Sequence, residues 1–139
     1  MHEPSACADF VWPVRVYWED TDAGGVVYHA SYLRFLERAR TEWLRALGVD
    51  QMALKRSHGL AFLVRDMRID FLRPALLDDE LSVSLRVMQC RAASILFTQT
   101  VIRADQTHLI HADVRVACVD ITQLRPAPIP PHLLALFAR

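Results

Sequence analysis

Between Ala30 and Leu47 the apolar residues Tyr32, Phe35, Leu36, Ala39, Trp43, Leu44 and Leu47 recur at three- and four-residue spacing, while Arg34, Glu37, Arg38, Glu42 and Arg45 fall mostly elsewhere. That period predicts an amphipathic helix. Gly48 follows the last periodic leucine, where a C-terminal cap belongs. At about 18 residues the helix is roughly 27 Å long, and it is too apolar to stand uncovered. Whatever covers it must come from segments that are patterned as strands.

A short strand is predicted at VRVYW, just after Pro13. RDMRIDFL puts Met67, Ile69 and Phe71 on one face and Arg68 and Asp70 on the other, until Pro74 breaks the run. After the turn LLDDE, Leu81, Val83, Leu85 and Val87 alternate with polar residues. SILFTQTVIR leads into the turn ADQT, and HLIHADVRVACVD alternates through Ile110, Ala112, Val114 and Val116. Gly59 reads as the approach to a strand, and the proline-rich LRPAPIPPHLLALFAR as an exit that closes with one short helix. The expected order is strand, helix, then a meander of four strands. Short connections make antiparallel neighbours, so the class is α+β, with an antiparallel sheet curled around the helix. The 139 residues, 53% of them hydrophobic, fit one domain spanning 1–139 with a real core.

Sixteen basic residues balance sixteen acidic ones, which removes the charge excess of a nucleic-acid binder and leaves any polyanion contact local. The opening MHEPSACADFVW lacks the basic segment, apolar run and cleavage site of a signal peptide. No stretch approaches the roughly 18 apolar residues of a membrane span. Cys7, Cys90 and Cys118 form neither a CxxC nor a metal-ligand pattern. A soluble protein of a reducing cytoplasm is the expectation.

Between the first strand and the helix lies YWEDTDAGGVVYHASYL, with three carboxylates, a histidine and two of the chain's four glycines. The glycine pair permits positive φ or a close approach to the backbone. A calcium loop beginning at Asp20 would place Gly24 and Ser31 where oxygen ligands are required, so it is rejected. A metal held by Asp22 and His29 has too few ligands, and no metal is expected. The third reading is an acid beside a helix N-terminus, whose unpaired N–H groups can hold a developing oxyanion. That suits thioester hydrolysis, because a thiol of pKa about 8.5 leaves with little protonation. Asp22 would act as nucleophile or as general base toward water.

EDTDAGGVVYHASYLRFLERARTEWLR resembles the signature of the hot-dog-fold acyl-CoA thioesterases, in the Tol-Pal-associated subfamily related to 4-hydroxybenzoyl-CoA thioesterase. FLVRDMRIDFLRPALLDDELSV, LFTQTVI and VRVACVD extend the resemblance from about Pro13 to Pro130. It implies a hot-dog fold and hydrolysis of an acyl-CoA to free acid and coenzyme A, with no cofactor beyond the coenzyme A of the substrate. The family's catalytic aspartate matches Asp22, and the N–H that polarises the thioester carbonyl falls near His29, which together with Tyr28 matches the family's YH pair. Gly25, Val26 and Tyr28 are thereby placed against the substrate, and Glu19 and Asp20 are assigned loop hydrogen bonds. Ser31 stands where the pattern usually has Asn, and Trp18 where Tyr is common.

By the same resemblance the chain should pair into a homodimer with a continuous sheet and sites between protomers, and pair again into a homotetramer. Acyl carrier protein and Tol-Pal-linked proteins are the partners it implies, in the cytoplasm or peripheral to the inner membrane. All basic residues except Lys55 are arginine, which suits phosphate recognition. Arg91, on the turn QCRAAS, is the first choice for a coenzyme A contact, and Ser94 the second. The alternative is a non-catalytic hot-dog module that binds acyl carrier protein or an envelope complex. A hot-dog hydratase would want an HxxxxxxPG-like stretch, and none adjoins the helix.

Overall fold

The structure, a computed structural model, describes residues 9–138. Its elements in chain order are β1 (Phe10–Arg15), a single 3-10 turn (Trp18–Asp20), α1 (Ser31–Ala46), α2 (Gln51–His58), β2 (Leu60–Phe71), β3 (Glu80–Cys90), β4 (Ser94–Arg103), β5 (His108–Asp120), β6 (Arg125–Pro126) and α3 (Pro131–Phe137). The strands make one antiparallel sheet in the order β1-β3-β4-β5-β2, with β6 added on β5.

The helix stripe does what its spacing predicts. Tyr32, Phe35, Leu36, Ala39 and Leu44 are buried in one cluster with Val83, Leu85, Val101, Ile110 and Val114 from the sheet. Gly48 caps the helix with φ of 84°, a left-handed conformation that glycine adopts without a Cβ clash. At the exit, Phe137 of α3 is buried against Trp43 and Phe62, at ring separations of 5.2 and 5.9 Å.

Four features differ from the sequence reading. The first strand contains Pro13 instead of following it. β1 is a sheet edge, and Pro13 sits opposite Ser82 in a strand where a missing N–H is tolerated. Secondly, α2 is a helix that periodicity did not reveal. Asp50 caps it by accepting from the Ala53 N–H at 3.0 Å, and Gly59 closes it at φ of 66°. Thirdly, β2 begins at Leu60, and a bulge at Arg65 keeps Met67 and Ile69 packed on the same side as Phe62. Finally, only β3, β4 and β5 form a meander. β1 already occupies the other edge of β3, so β2 crosses the end of the sheet and pairs with β5 from Leu60–Asp120 to Phe71–Ile110.

Cys7 lies outside the described residues, while Cys90 and Cys118 are free thiols. Among the described residues no helix is long and apolar enough to cross a membrane.

Candidate active site

The acidic loop is a small hairpin. Thr21 and Val27 form a bridge, and the Asp22 N–H donates to the Val26 carbonyl at 2.9 Å. The Val27 N–H donates to the Ala75 carbonyl at 2.9 Å, which ties the hairpin to the crossover between β2 and β3. At its tip the two glycines have separate jobs. The Gly24 N–H donates to Oδ1 of Asp22 at 2.8 Å, and any Cβ there would stand 3.1 Å from that oxygen. Gly25 has open space around it but holds φ of 81°. One glycine permits close approach and the other supplies the turn.

The hairpin leads directly into α1. Ala30 is its N-cap and brings no capping side chain. The Ser31 N–H donates to the Tyr28 carbonyl at 2.8 Å, whereas the N–H groups of His29 and Ala30 meet no acceptor among the described residues. These are the unpaired donors that a helix start leaves at its positive end. The His29 ring lies 4.5 Å from the Tyr28 ring and 6.3 Å, edge-on, from Phe71.

Asp22 and His29 open onto the same cleft of about 330 Å³, whose other walls are Val26, Val27, Tyr32, Phe71, Leu72, Arg73 and Pro74. Tyr32 closes the floor, its hydroxyl oxygen accepting from the Ala75 N–H at 3.0 Å. Burial pushes the pKa of this phenol up, so it stays neutral. Of the carboxylate of Asp22, Oδ1 is anchored by Gly24 and Oδ2 has no partner among the described residues.

The structure therefore brings Asp22, Val26 and His29 together, with Gly25 on the turn beside Asp22 and the Tyr28 ring tilted against His29. It does not bring Arg91 and Ser94 to them within one chain. Those two close the β3–β4 turn, Arg91 N–H to Ser94 carbonyl at 2.8 Å, while the cleft abuts the opposite end of β3. By register Phe71 lies level with Ile110, Val101 and Val83, so the β3 residues from Val83 to Cys90 separate the two, roughly 23 Å at about 3.3 Å per residue. Phe71, Leu72, Arg73 and Pro74 are wall residues that the sequence reading did not select. They arrive only through the crossover, and Phe71, read on one strand face with Met67 and Ile69, is 51% exposed at the cleft.

Residues 16–137 match the thioesterase-like superfamily. The chain belongs to that family. It is 48% identical over 128 residues to the acyl-CoA thioester hydrolase YbgC of Escherichia coli, covering 92% of this chain and 95% of that one. To the acyl-CoA thioesterase YbgC of Haemophilus influenzae it is 49% identical, covering 92% and 93%. A solved 1,4-dihydroxy-2-naphthoyl-CoA thioesterase from Synechocystis superposes with a TM-score of 0.86 at 25% identity, over 94% of this chain and 96% of that one. A probable thioesterase from Bartonella henselae superposes at 0.81 with 36% identity, over 90% and 100%. As a member of the thioesterase-like superfamily the protein has the α+β hot-dog fold, its antiparallel sheet curled on one long helix, as the resemblance of EDTDAGGVVYHASYL implied.

Proposed function

We propose that this protein hydrolyses the thioester of an acyl-CoA to a free acid and coenzyme A, with Asp22 as the reacting carboxylate. The observation that carries the assignment is that one cleft is lined both by Asp22, whose Oδ2 has no partner among the described residues, and by His29, whose N–H is unpaired at the helix start. The thioester carbonyl oxygen sits at the N–H groups of His29 and Ala30, which stabilise the charge it gains as the carbonyl carbon becomes tetrahedral. Oδ2 of Asp22 either attacks that carbon to give a mixed anhydride, later opened by water, or takes the proton of an attacking water. In both routes the carbon–sulfur bond breaks, coenzyme A leaves as its thiolate, and one water supplies the oxygen and protons of the products. The relatives named as acyl-CoA thioester hydrolases support this substrate class.

Assembly belongs to the same proposal. β2 is a sheet edge of 12 residues with no strand on its outer side among the described residues, and Leu63 and Val64 stand exposed along it. A long apolar edge is a template for pairing, and a second copy would continue the sheet across it. The cleft, walled by Phe71 at the end of β2, then lies at the boundary between protomers. Arg91 and Ser94, remote from their own cleft, would serve coenzyme A only at a cleft belonging to another chain.

The test is a panel of acyl-CoA esters from short to long and aromatic, read by released thiol. Turnover of at least one supports the assignment. No turnover of any, with binding of acyl carrier protein, supports the non-catalytic alternative.

A further inference from the structure

Asp20 is only 3% exposed, and its Oδ1 is buried with no hydrogen-bond partner among the described residues. Its Oδ2 accepts a single bond, from the Tyr17 N–H at 2.8 Å. A carboxylate so placed has lost its water without recovering a full set of donors, which works against stability. The nearest cation is Arg34, whose Nη2 stands 3.7 Å from Oδ1, beyond hydrogen-bond range. The same Nη2 donates to Oγ of Ser31 at 3.0 Å, and that hydroxyl donates to the carbonyl oxygen of Asp20 at 3.1 Å. The carbonyl also accepts from the Tyr28 N–H at 2.8 Å.

Hydrogen bonds join the Asp20 carbonyl, Ser31 and Tyr28 in a ring, and Arg34 braces it by donating to Ser31 while its charge faces the Asp20 carboxylate at 3.7 Å. On one side it holds the backbone just ahead of Asp22, and on the other the backbone just ahead of His29. The hairpin that carries Asp22 is thus gripped at its neck to the first turn of α1. Neither Asp20 nor Arg34 lines the cleft.

We propose that Asp20 and Arg34 are a positioning pair that fixes the Asp22 carboxylate relative to the unpaired N–H groups of His29 and Ala30. The proposal rests on the thioesterase reading above. Reaction rates respond steeply to displacements of about 1 Å between reacting groups, so a grip at the neck of the hairpin governs turnover more than substrate binding. It also gives the poorly satisfied buried charge a role: the charge draws the guanidinium over Ser31. In Asp20→Asn the amide can still accept from Tyr17, but its NH2 opposes the guanidinium with donor against donor, and Arg34 no longer braces the ring through Ser31.

The experiment compares Asp20→Asn, Arg34→Ala, Arg34→Lys and the Asp20→Asn/Arg34→Ala double variant with wild type. It measures kcat and KM on the best acyl-CoA of the panel, the thermal midpoint, and amide hydrogen exchange at Tyr28. We expect kcat to fall about tenfold or more in Asp20→Asn and in Arg34→Ala, with KM within about twofold. The midpoint of Asp20→Asn is unchanged or raised, because a buried charge has gone. Arg34→Lys recovers most of kcat, and the double variant is no worse than the poorer single one. Unchanged kcat in both single variants, or losses that track a falling midpoint, overturns the proposal. If wild type releases no thiol from any ester, the thioesterase reading fails, and Tyr28 exchange decides the grip alone. Exchange about tenfold faster in Arg34→Ala supports it, and unchanged exchange overturns it.

Discussion

The Gly24 N–H donates to Oδ1 of Asp22 at 2.8 Å, and a methyl group on Gly24 would lie 3.1 Å from that oxygen. The loop is thus shaped around the carboxylate. Gly24→Ala should displace Oδ1 by a few tenths of an ångström and lower kcat/KM roughly tenfold, about 1.4 kcal/mol of transition-state stabilisation. Its thermal midpoint should stay near that of wild type. Gly25→Ala should differ, losing about 1 kcal/mol of stability because φ there is 81°. Kinetics and thermal melts on the two variants separate close approach from turn strain.

The core carries a second polar contact, remote from the cleft. Gln99, wholly buried, accepts from Nη1 of Arg40 at 3.0 Å and donates to the Leu36 carbonyl at 3.1 Å. Burial pulls the Arg40 pKa below the ordinary guanidinium value. Gln99→Leu leaves that cation without its partner and should cost about 3 kcal/mol in urea unfolding. Adding Arg40→Met should return part of the loss, a non-additive result expected of residues in contact.

Exposed Leu63 and Val64 on the outer edge of β2 give the assembly proposal its handle. Leu63→Glu should place a charge on the pairing edge, shift sedimentation toward a smaller species and reduce kcat/KM together. A folded monomer with full kcat/KM would contradict a cleft shared between protomers.

The β4–β5 turn should respond to pH. Bonds from Thr107, then Arg103, hold the Asp105 carboxylate down to about 2 from an ordinary value of 3.8. The folded value is depressed, so the contribution is fully present above about 3.8 and is lost as pH falls toward about 2. Asp105→Ala should therefore lower the thermal midpoint at pH 7 (roughly neutral) and matter progressively less in acid below the unfolded value. An equal effect at both ends of that range would remove the carboxylate from the account.

What was legible in the chain was what short-range period encodes. The α1 stripe, the alternation of Ile110, Ala112, Val114 and Val116, and the glycine pair beside Asp22 all carry their reason within a few neighbours, and each lies where it was read. Partner choice among strands is not local. Nothing within RDMRIDFL says that β3 already has β1 on its free edge, so the pairing of β2 with β5, and with it the delivery of Phe71 and Arg73 to the cleft, could not be read. The helix α2 was not read: its short apolar pattern is weak, and Gly59, which caps its end, reads as the approach to a strand.

If the carboxylate of Asp22 carries the reaction, kcat of Asp22→Asn on the best acyl-CoA of the panel shows it. The amide keeps the shape of the side chain, and its oxygen can still accept from the Gly24 N–H, so the thermal midpoint and sedimentation should match wild type. Turnover should fall by about 100-fold or more, the scale of losing a positioned base or nucleophile. A kcat within about twofold of wild type, in a protein that folds and assembles normally, would remove Asp22 from the chemistry.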